Sequence, residues 1–339
     1  MKKTISLIGI LLAVNAFAAP KTDITSERRA RLLRALADAP APVDLPVFVM
    51  RTYRKADGTD IQLPAAPDRP RSRNWGLGNA ARTLQDVLGR HSLGTGWTLR
   101  QLKQMAPYMG VRLAPSFLAL DAATQQQGLE RVLASYSRLP WRMIQRLRDS
   151  GHGIDLVSHN VTNHPRMEHM RGVVPRGWAP RLVWNHDTGL QEMEEQQTWD
   201  DVVGAGAAGT LPSIIAADSL DERHGSVDVV LHEVGHAADR YFADADESYE
   251  YSISRGFQSM AEGLPYERIY PIGLIPYNRN FQEENFAEMF AKFFKSPESR
   301  AELAAAYPAA AEYYAVAFEG ARPARRPRSQ PDRRTRTRQ

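Results

Sequence analysis

Two histidines and a glutamate in the second half of the chain have the types and spacing of a metal site. His232 and His236 are four residues apart, and Glu233 directly follows the first. On a helix, residues four apart lie on one face about one turn apart, which suits two ligands of a tetrahedral zinc ion. Glu233 is placed to act as general base toward the water that a catalytic zinc activates. The pentad therefore predicts a zinc-dependent hydrolytic site, provided that the segment is helical.

The residues around the pentad favour that helix. Ser226 is a suitable N-cap, and apolar residues recur at helical spacing along one side. We predict a helix over residues 226–242 whose buried stripe is Val227, Val230, Leu231, Val234 and Ala238.

A second helix, predicted over residues 282–294, offers the third protein ligand that a catalytic zinc needs. Glu284 and Glu288 are four apart and share the face opposite its apolar stripe. One carboxylate can bind zinc, while the next orients a ligand histidine through its free ring nitrogen. The alternative is a pair of solvated surface acids. The apolar stripe itself consists of Phe286, Met289, Phe290 and Phe293.

Other helices and strands must position these residues. The apolar periodicity predicts helices over 26–37, 80–88, 99–109, 122–136 and 141–149, and strands over 154–157 and 211–217. Ser296-Pro297 and Pro308 are expected to begin two further helices. Residues 159–213 are rich in Gly, Pro, Trp and His and are expected to be mostly loops around a few short strands.

The N-terminus has the pattern of a secretory signal peptide over residues 1–18. Lys2 and Lys3 precede an apolar run too short to anchor in a bilayer, and Ala16 and Ala18 suit a signal peptidase. We therefore expect a secreted or periplasmic protein with no membrane span after cleavage. The chain has no cysteine, so disulfides are excluded and the fold must be held by its core, either alone or together with a metal.

The net charge of +4 belongs to the ends of the chain. Residues 321–339 carry eight Arg and one Asp, and residues 2 and 3 are lysines, which leaves −5 for residues 4–320. No nucleic-acid partner is therefore expected for the folded body, and contact with an anionic surface would fall to the Arg-rich tail, expected to be disordered over 319–339.

The pentad at 232–236 and the segment around Glu284 resemble the motifs of the gluzincin catalytic domain of anthrax lethal factor and the related secreted Pro-Pro endopeptidases. Glu284 lies 48 residues after His236, Tyr277 stands seven before Glu284, and Glu284-Asn-Phe-Ala-Glu288-Met-Phe follows the pattern of that family. The segments 163–165, 175–178 and 198–204 add a looser likeness. The resemblance extends over residues 115–318.

The resemblance implies an α+β, zincin-like domain with a twisted mixed sheet and an active-site helix, preceded by a helical N-terminal region over 74–114. It implies one Zn²⁺ per chain bound by His232, His236 and Glu284, with Glu233 as base. Tyr277 would donate its hydroxyl to the oxyanion, and Glu288 would support a ligand. Two departures leave substrate preference open: residues 186–197 look inserted, and Val203 replaces an expected proline.

Several weaker assignments concern the surroundings of the site. We expect the strand over 211–217, with Ile214 and Ile215, to hold the peptide by strand addition. Trp178 and Trp199 either line the substrate cleft or simply pack their loops. Asp239 either supports the metal ligands or is an ordinary helix residue.

Two further patterns are better explained without a ligand. His152, His159, His164 and His169 lack regular ligand spacing and are interpreted as loop histidines. The glycines of residues 204–209 match a dinucleotide motif formally, but no clear strand precedes them, which favours a flexible loop at the rim of the cleft.

Together these features predict a secreted zinc metalloendopeptidase acting on a peptide or protein substrate. The alternatives are a toxin-like protease that acts on host proteins and a catalytically silent, zinc-stabilised binding module. Residues 19–73 are interpreted as a flexible pro-region or linker with one short helix. Whether residues 20–110 inhibit the enzyme, and how many chains assemble, stay open.

Overall fold

The computed structural model describes residues 21–37, 49–54, 60–65, 78–149, 152–175, 182–185, 189–193, 197–206, 212–220, 224–241, 252, 255–261, 264 and 280–319. The leader, Trp178, Tyr277 and the Arg-rich tail lie outside these residues. Within the described part, no helix combines the length and apolar character needed to cross a bilayer.

The described elements are eleven helices and ten strands. The helices are α1 (Ser26–Ala37), α2 (Gly78–Leu88), α3 (Leu99–Met105), α4 (Pro115–Leu118), α5 (Ala122–Tyr136), α6 (Trp141–Asp149), α7 (Val229–Tyr241), α8 (Arg255–Ala261), α9 (Asn280–Lys295), α10 (Pro297–Ala306) and α11 (Pro308–Glu319). The strands are β1 (Thr22–Asp23), β2 (Val49–Arg54), β3 (Asp60–Ala65), β4 (His91–Ser92), β5 (Val111–Leu113), β6 (Ile154–Val157), β7 (Leu182–Asn185), β8 (Leu190–Met193), β9 (Gly204–Ala205) and β10 (Ser213–Ala216).

Helix predictions are confirmed where local periodicity is strong. α1, α5 and α6 have the predicted bounds, and α10 begins at Pro297 behind Ser296, whose hydroxyl accepts the N–H of Ser299. The helix predicted over 99–109 ends at Met105 and continues as a 3-10 turn over Ala106–Met109. Pro107 has no N–H to donate to a carbonyl one turn earlier, so the α-helix cannot continue through it.

The expectation that residues 19–73 have little regular structure beyond one helix is wrong. β2 and β3 form an antiparallel hairpin in this stretch, and β1 pairs in parallel with β4. Pro64 lies within β3, where periodicity alone gave no strand signal. The role of this segment as a pro-region stays a prediction.

The main sheet has four strands in the order β5-β6-β10-β9. β5, β6 and β10 are parallel, and β9 pairs antiparallel with β10, so the sheet is mixed as expected. β7 and β8 form a separate hairpin within the stretch expected to be mostly loops. The α+β class is therefore confirmed.

The prediction that the strand over 211–217 accepts a peptide along its edge is wrong. β10 is paired on one side with β6 and on the other with β9, so its backbone has no free edge. Ile214 and Ile215 are 1% and 0% exposed and belong to the core, not to an open cleft. A continuous apolar run is typical of such an interior strand. Among the described strands, β9 forms the edge nearest the predicted site.

Helices α7 and α9 pack together beside this sheet, and their close approach depends on Gly235. A Cβ added there would lie 2.9 Å from the Cα of Ala287 on α9, closer than any side chain tolerates. On the far side of α9, buried Phe286, Phe290 and Phe293 contact Tyr314 of α11, whose hydroxyl donates to the Phe286 carbonyl at 2.8 Å. α9 is thus fixed between α7 and α11.

Candidate metal centre

The N-terminus of α7 is capped by Asp228, not by the predicted Ser226. One carboxylate oxygen of Asp228 accepts the N–H of Leu231 at 3.0 Å, and the Ser226 hydroxyl accepts the N–H of Asp228 itself. The Asp228 carboxylate is held by the Ser135 hydroxyl of α5 at 2.6 and 2.7 Å and lies 3.5 Å from Arg138. These tertiary partners favour the carboxylate as the cap and place the first turn of the helix.

The three predicted metal ligands converge in the structure. Nε2 of His232 lies 3.0 Å from a Glu284 carboxylate oxygen, and Nε2 of His236 lies 3.6 Å from the same oxygen. The two imidazole rings are 5.0 Å apart. One nitrogen or oxygen from each of the three residues therefore lies within 4.8 Å of the others. Helix α7 supplies the two histidines, and α9 supplies the carboxylate from 48 residues later.

These residues fit the zinc ion that the spacing predicts. Two imidazole nitrogens and one carboxylate oxygen form a known three-ligand set of catalytic zinc, which leaves a fourth position for water. The His232 side chain is 1% exposed, whereas that of Glu284 is 26% exposed. The donor set is thus buried on the side of α7 and open to solvent on the side of α9.

The electrostatics of the three groups also suit a cation. Burial lowers the pKa of His232, but the adjoining carboxylates of Glu284 and Glu288 outweigh burial and raise it to about 10. Burial raises the pKa of Glu284, but the imidazoles of His236 and His232 bring it well below its usual range. The cluster therefore keeps its carboxylate ionised and stabilises positive charge at the histidines.

Glu288 has the geometry expected of a residue that orients a ligand. Its carboxylate is 1% exposed, which excludes the alternative of a solvated surface acid. One oxygen lies 3.2 Å from Nδ1 of His232, and the other accepts the N–H of Val227 at 3.2 Å. An imidazole that donates from Nδ1 presents an unprotonated Nε2 to a metal. Glu288 thereby directs Nε2 of His232 toward Glu284.

Glu233 lies on the same helix as the histidines and is buried. Oε1 of Glu233 contacts Nε2 of His224 at 2.8 Å. Burial raises the pKa of Glu233, but its hydrogen bond with His224 and the nearby histidines His232 and His236 lower it below its usual value. The side chain is therefore kept as a carboxylate, the form that accepts a proton.

His224 is a site residue that the sequence reasoning missed. It lies eight residues before the pentad in a segment without regular structure, and no spacing rule connects it with Glu233. Its ring contacts the ring of His232 in a T-shaped arrangement, with the two ring centroids 5.0 Å apart. The only signal in the sequence was the presence of a histidine so close to the pentad.

The glycines at 204 and 206 also have a role that the sequence reasoning missed. A Cβ at Gly204 would lie 2.7 Å from Oε1 of Glu233, and one at Gly206 would lie 2.5 Å from the Cβ of His236. The expectation of a flexible loop is wrong for Gly204 and Ala205, which form β9. The two glycines let this edge strand and the residue after it lie directly against α7.

The remaining predicted residues are distributed as follows. Trp199 lies in a 3-10 turn and packs against the hydrophobic core, which favours loop packing. Asp239 is buried and accepts the N–H of Ser252 at 2.7 Å, so it anchors a residue beyond α7. Tyr277 and Trp178 lie outside the described residues, and their roles stay predictions.

Three of the four clustered histidines have partners that are not metal ligands. His164 contacts Asp155 at 2.9 Å, His159 contacts Asp218 at 2.8 Å, and His152 contacts the Ser213 hydroxyl at 3.3 Å. In the described part of the chain, the groups able to hold a metal involve residues 224, 232, 233, 236 and 284.

Comparison with known proteins places the region that holds this candidate centre in a known family. The sequence model of the family described as anthrax toxin lethal factor, N- and C-terminal domain, matches residues 117–316. The chain belongs to the anthrax toxin lethal factor family. The matched region contains all the described residues of the centre, and with the mixed sheet it supports the expected zincin-like fold.

Two proteins similar in sequence to this chain are named Pro-Pro endopeptidases. The protein of Paenibacillus alvei is 26% identical over 201 residues, which cover 58% of this chain and 77% of the relative. The protein of Clostridioides difficile is 27% identical over 169 residues, which cover 49% of this chain and 65% of the relative. These names support a metalloendopeptidase-type protease.

A solved structure, that of the Pro-Pro endopeptidase from Paenibacillus alvei, is also similar. It matches with a TM-score of 0.43 and 26% identity, over 62% of this chain and 97% of that one.

Proposed function

We propose that this chain is a secreted zinc-dependent metalloendopeptidase that hydrolyses peptide bonds, with Glu233 as general base. The observation that supports it best is the convergence of His232, His236 and Glu284 beside a buried, ionised Glu233. A zinc ion bound by these three ligands would polarise a water molecule and the peptide carbonyl. Secretion rests on the leader pattern in residues 1–18.

Glu233 is suited to move the proton that hydrolysis requires. His224 contacts Oε1, and no described residue forms a hydrogen bond with Oε2. Oε2 is thus the oxygen that accepts a proton from the attacking water and later delivers it to the leaving amine. A purely structural zinc site needs neither a base nor a partner for one, so this arrangement disfavours the silent binding module.

The peptide is proposed to bind along β9. This strand pairs with β10 on one side, and no described strand pairs with its other side. An extended peptide added there would lie next to Glu233 and His236, because Gly204 and Gly206 bring the backbone against both side chains. Strand addition is therefore assigned to β9 in place of β10.

The oxyanion donor and the scissile bond are proposed from the family. Tyr277 stands seven residues before Glu284, and its hydroxyl is assigned to the developing oxyanion. Because the two relatives are named Pro-Pro endopeptidases, the peptide bond between two prolines is the first cleavage site to test. A toxin-like protease that acts on host proteins would use the same hydrolytic chemistry and would differ only in its substrate.

Cleavage of a peptide library by the protein lacking residues 1–18 tests the proposal. The wild-type protein should contain about one zinc per chain and cleave a subset of peptides. Glu233→Ala should retain zinc and fold but lose cleavage, whereas Glu302→Ala, an exposed change on α10, should behave as wild type. Absence of zinc together with an unchanged His232→Ala variant would refute the proposal, as would full activity of Glu233→Ala.

A further inference from the structure

A cavity lies at the end of α9 remote from the metal centre. Its volume is about 1160 Å³, and its walls come from α1, α2, α6, the junction of α9 and α10, and the end of α11. Lys295 in its wall follows Glu284 by eleven residues on the same helix. At a rise of about 1.5 Å per residue, the two positions are roughly 16 Å apart along the helix axis. We call this cavity the basic cleft.

The basic cleft concentrates positive charge on a body that is otherwise acidic. Nine basic side chains and three acidic side chains line it, and burial lowers the pKa of one of the nine, Lys21, to about 7, so the excess near neutral pH is between five and six positive charges. Residues 4–320 together carry −5. Because like charges brought together destabilise the folded state, such a concentration calls for a partner that neutralises it.

The acidic side chains of the basic cleft are already engaged. Asp86 pairs with Arg31 at 2.8 Å, and Glu319 binds both guanidinium nitrogens of Arg300 at 2.6 and 2.9 Å. Asp23 accepts the hydroxyl of Ser92 at 2.9 Å. These contacts fix the walls, and Arg138 pairs with Asp228 outside the basic cleft at 3.5 Å, so only part of the excess positive charge is available to a ligand.

Four cations of the basic cleft form no ion pair with any residue that the structure describes. They come from four separate elements or their ends, and each retains access to solvent. Burial together with the positive charges of Arg28 and Arg90 lowers the pKa of neighbouring His91, which reflects a positive potential at this wall. Lys21 is excluded from ligand binding because its Nζ donates to the carbonyls of Ser137 and Leu139. The four cations are Arg28, Arg90, Arg142 and Lys295.

We propose that the basic cleft binds a ligand bearing several phosphate groups. A terminal phosphate group carries up to two negative charges and a bridging one carries one, so tripolyphosphate brings more negative charge to the basic cleft than a tricarboxylate of similar length. Seven of the nine basic residues are arginines, whose planar fork matches phosphate oxygens in pairs. The volume of about 1160 Å³ exceeds what one small anion needs and lies slightly above the roughly 300–1,000 Å³ of typical ligand pockets.

Calorimetric titration of the protein lacking residues 1–18 with inorganic tripolyphosphate tests this proposal. Arg90→Glu/Arg142→Glu should weaken binding by at least roughly tenfold, because two charge-assisted contacts become repulsions. Arg100→Glu/Lys103→Glu on α3, outside the basic cleft, makes the same change in net charge and should bind as wild type. The readout is binding and not cleavage, so it does not depend on the proposed peptidase activity.

Each outcome supports or overturns the proposal. Equal losses in both double variants would show general electrostatics only, and loss of binding on deletion of residues 321–339 would assign it to the tail. Citrate binding as tightly as tripolyphosphate would overturn the phosphate class. If the glutamate variant fails to fold, Arg28→Gln/Lys295→Gln provides the same test. Flotation with phosphatidylcholine vesicles, with and without phosphatidic acid, distinguishes a lipid headgroup from a soluble phosphate, and cleft-dependent binding to either supports the proposal.

Discussion

His232 is held between two carboxylates, with Nδ1 lying 3.2 Å from Glu288 and Nε2 lying 3.0 Å from Glu284. The two contacts lie on opposite sides of one ring, and both glutamates come from α9. The ring is therefore fixed in orientation by the same helix that supplies the third candidate ligand.

Removing the carboxylate of Glu288 should weaken zinc binding. Glu288→Ala leaves Nδ1 of a buried histidine without its acceptor, and we expect zinc affinity to fall about 10- to 100-fold. Competition with a chromophoric chelator measures this change. Glu302→Ala on the exposed face of α10 is the matched control. Unchanged affinity in Glu288→Ala would show that the contact does not orient the ligand.

His224 should act as a positioning residue for Glu233. We expect His224→Phe to lower kcat roughly tenfold with zinc content and KM retained, because Oε1 of Glu233 loses its donor. His224→Gln keeps an N–H donor at the end of a side chain of similar length and should restore part of kcat. Steady-state kinetics and metal analysis of both variants separate this role from a structural one, in which the two variants would lose stability and activity alike.

Zinc binding should release a proton near neutral pH. The pKa of His232, raised to about 10 in the metal-free protein, means that this imidazole is protonated below that pH and must lose its proton to bind a metal. Affinity should therefore rise as pH increases from 6 toward 9 and fall on acidification. Calorimetry in buffers of different ionisation enthalpy counts the protons released. No proton release at pH 7 would contradict the assignment of His232 as a ligand.

Adding a methyl group at Gly206 should disturb the centre directly. The new Cβ in Gly206→Ala would lie 2.5 Å from the Cβ of His236, so either the backbone directly after β9 or helix α7 must move. We expect loss of activity and a lower Tm. The free energy of unfolding should fall by about 1–3 kcal/mol. Gly256→Ala is the control, because its Cβ would meet only Tyr313 at 3.8 Å. Thermal unfolding and peptide cleavage measure both variants.

The convergence of the candidate metal ligands was predictable because their geometry is mostly local. His232 and His236 are related by one turn of a single helix, and Glu284 and Glu288 by one turn of another. The likeness of the two motifs to a known family then connected the helices across 48 residues. Nothing in that reasoning required knowledge of which strands lie side by side.

The errors concern features that depend on distant neighbours. The sequence around Ile214 correctly predicts a strand, but its interior position is determined by pairing with β6 and β9, which come from elsewhere in the chain. The cap at Asp228 similarly depends on Ser135 of α5. His224 reaches Glu233 from a segment without periodicity, so no local rule could place it.

The contact between β9 and α7 constrains how the specificity of such an enzyme can change. The backbone proposed to hold the peptide lies against the proposed base, Glu233, and one proposed metal ligand, His236, through glycines that admit no side chain. Substitutions in β9 that alter substrate choice would therefore also displace catalytic groups. New specificities must arise from segments around this strand, while β9 itself stays fixed as part of the catalytic apparatus.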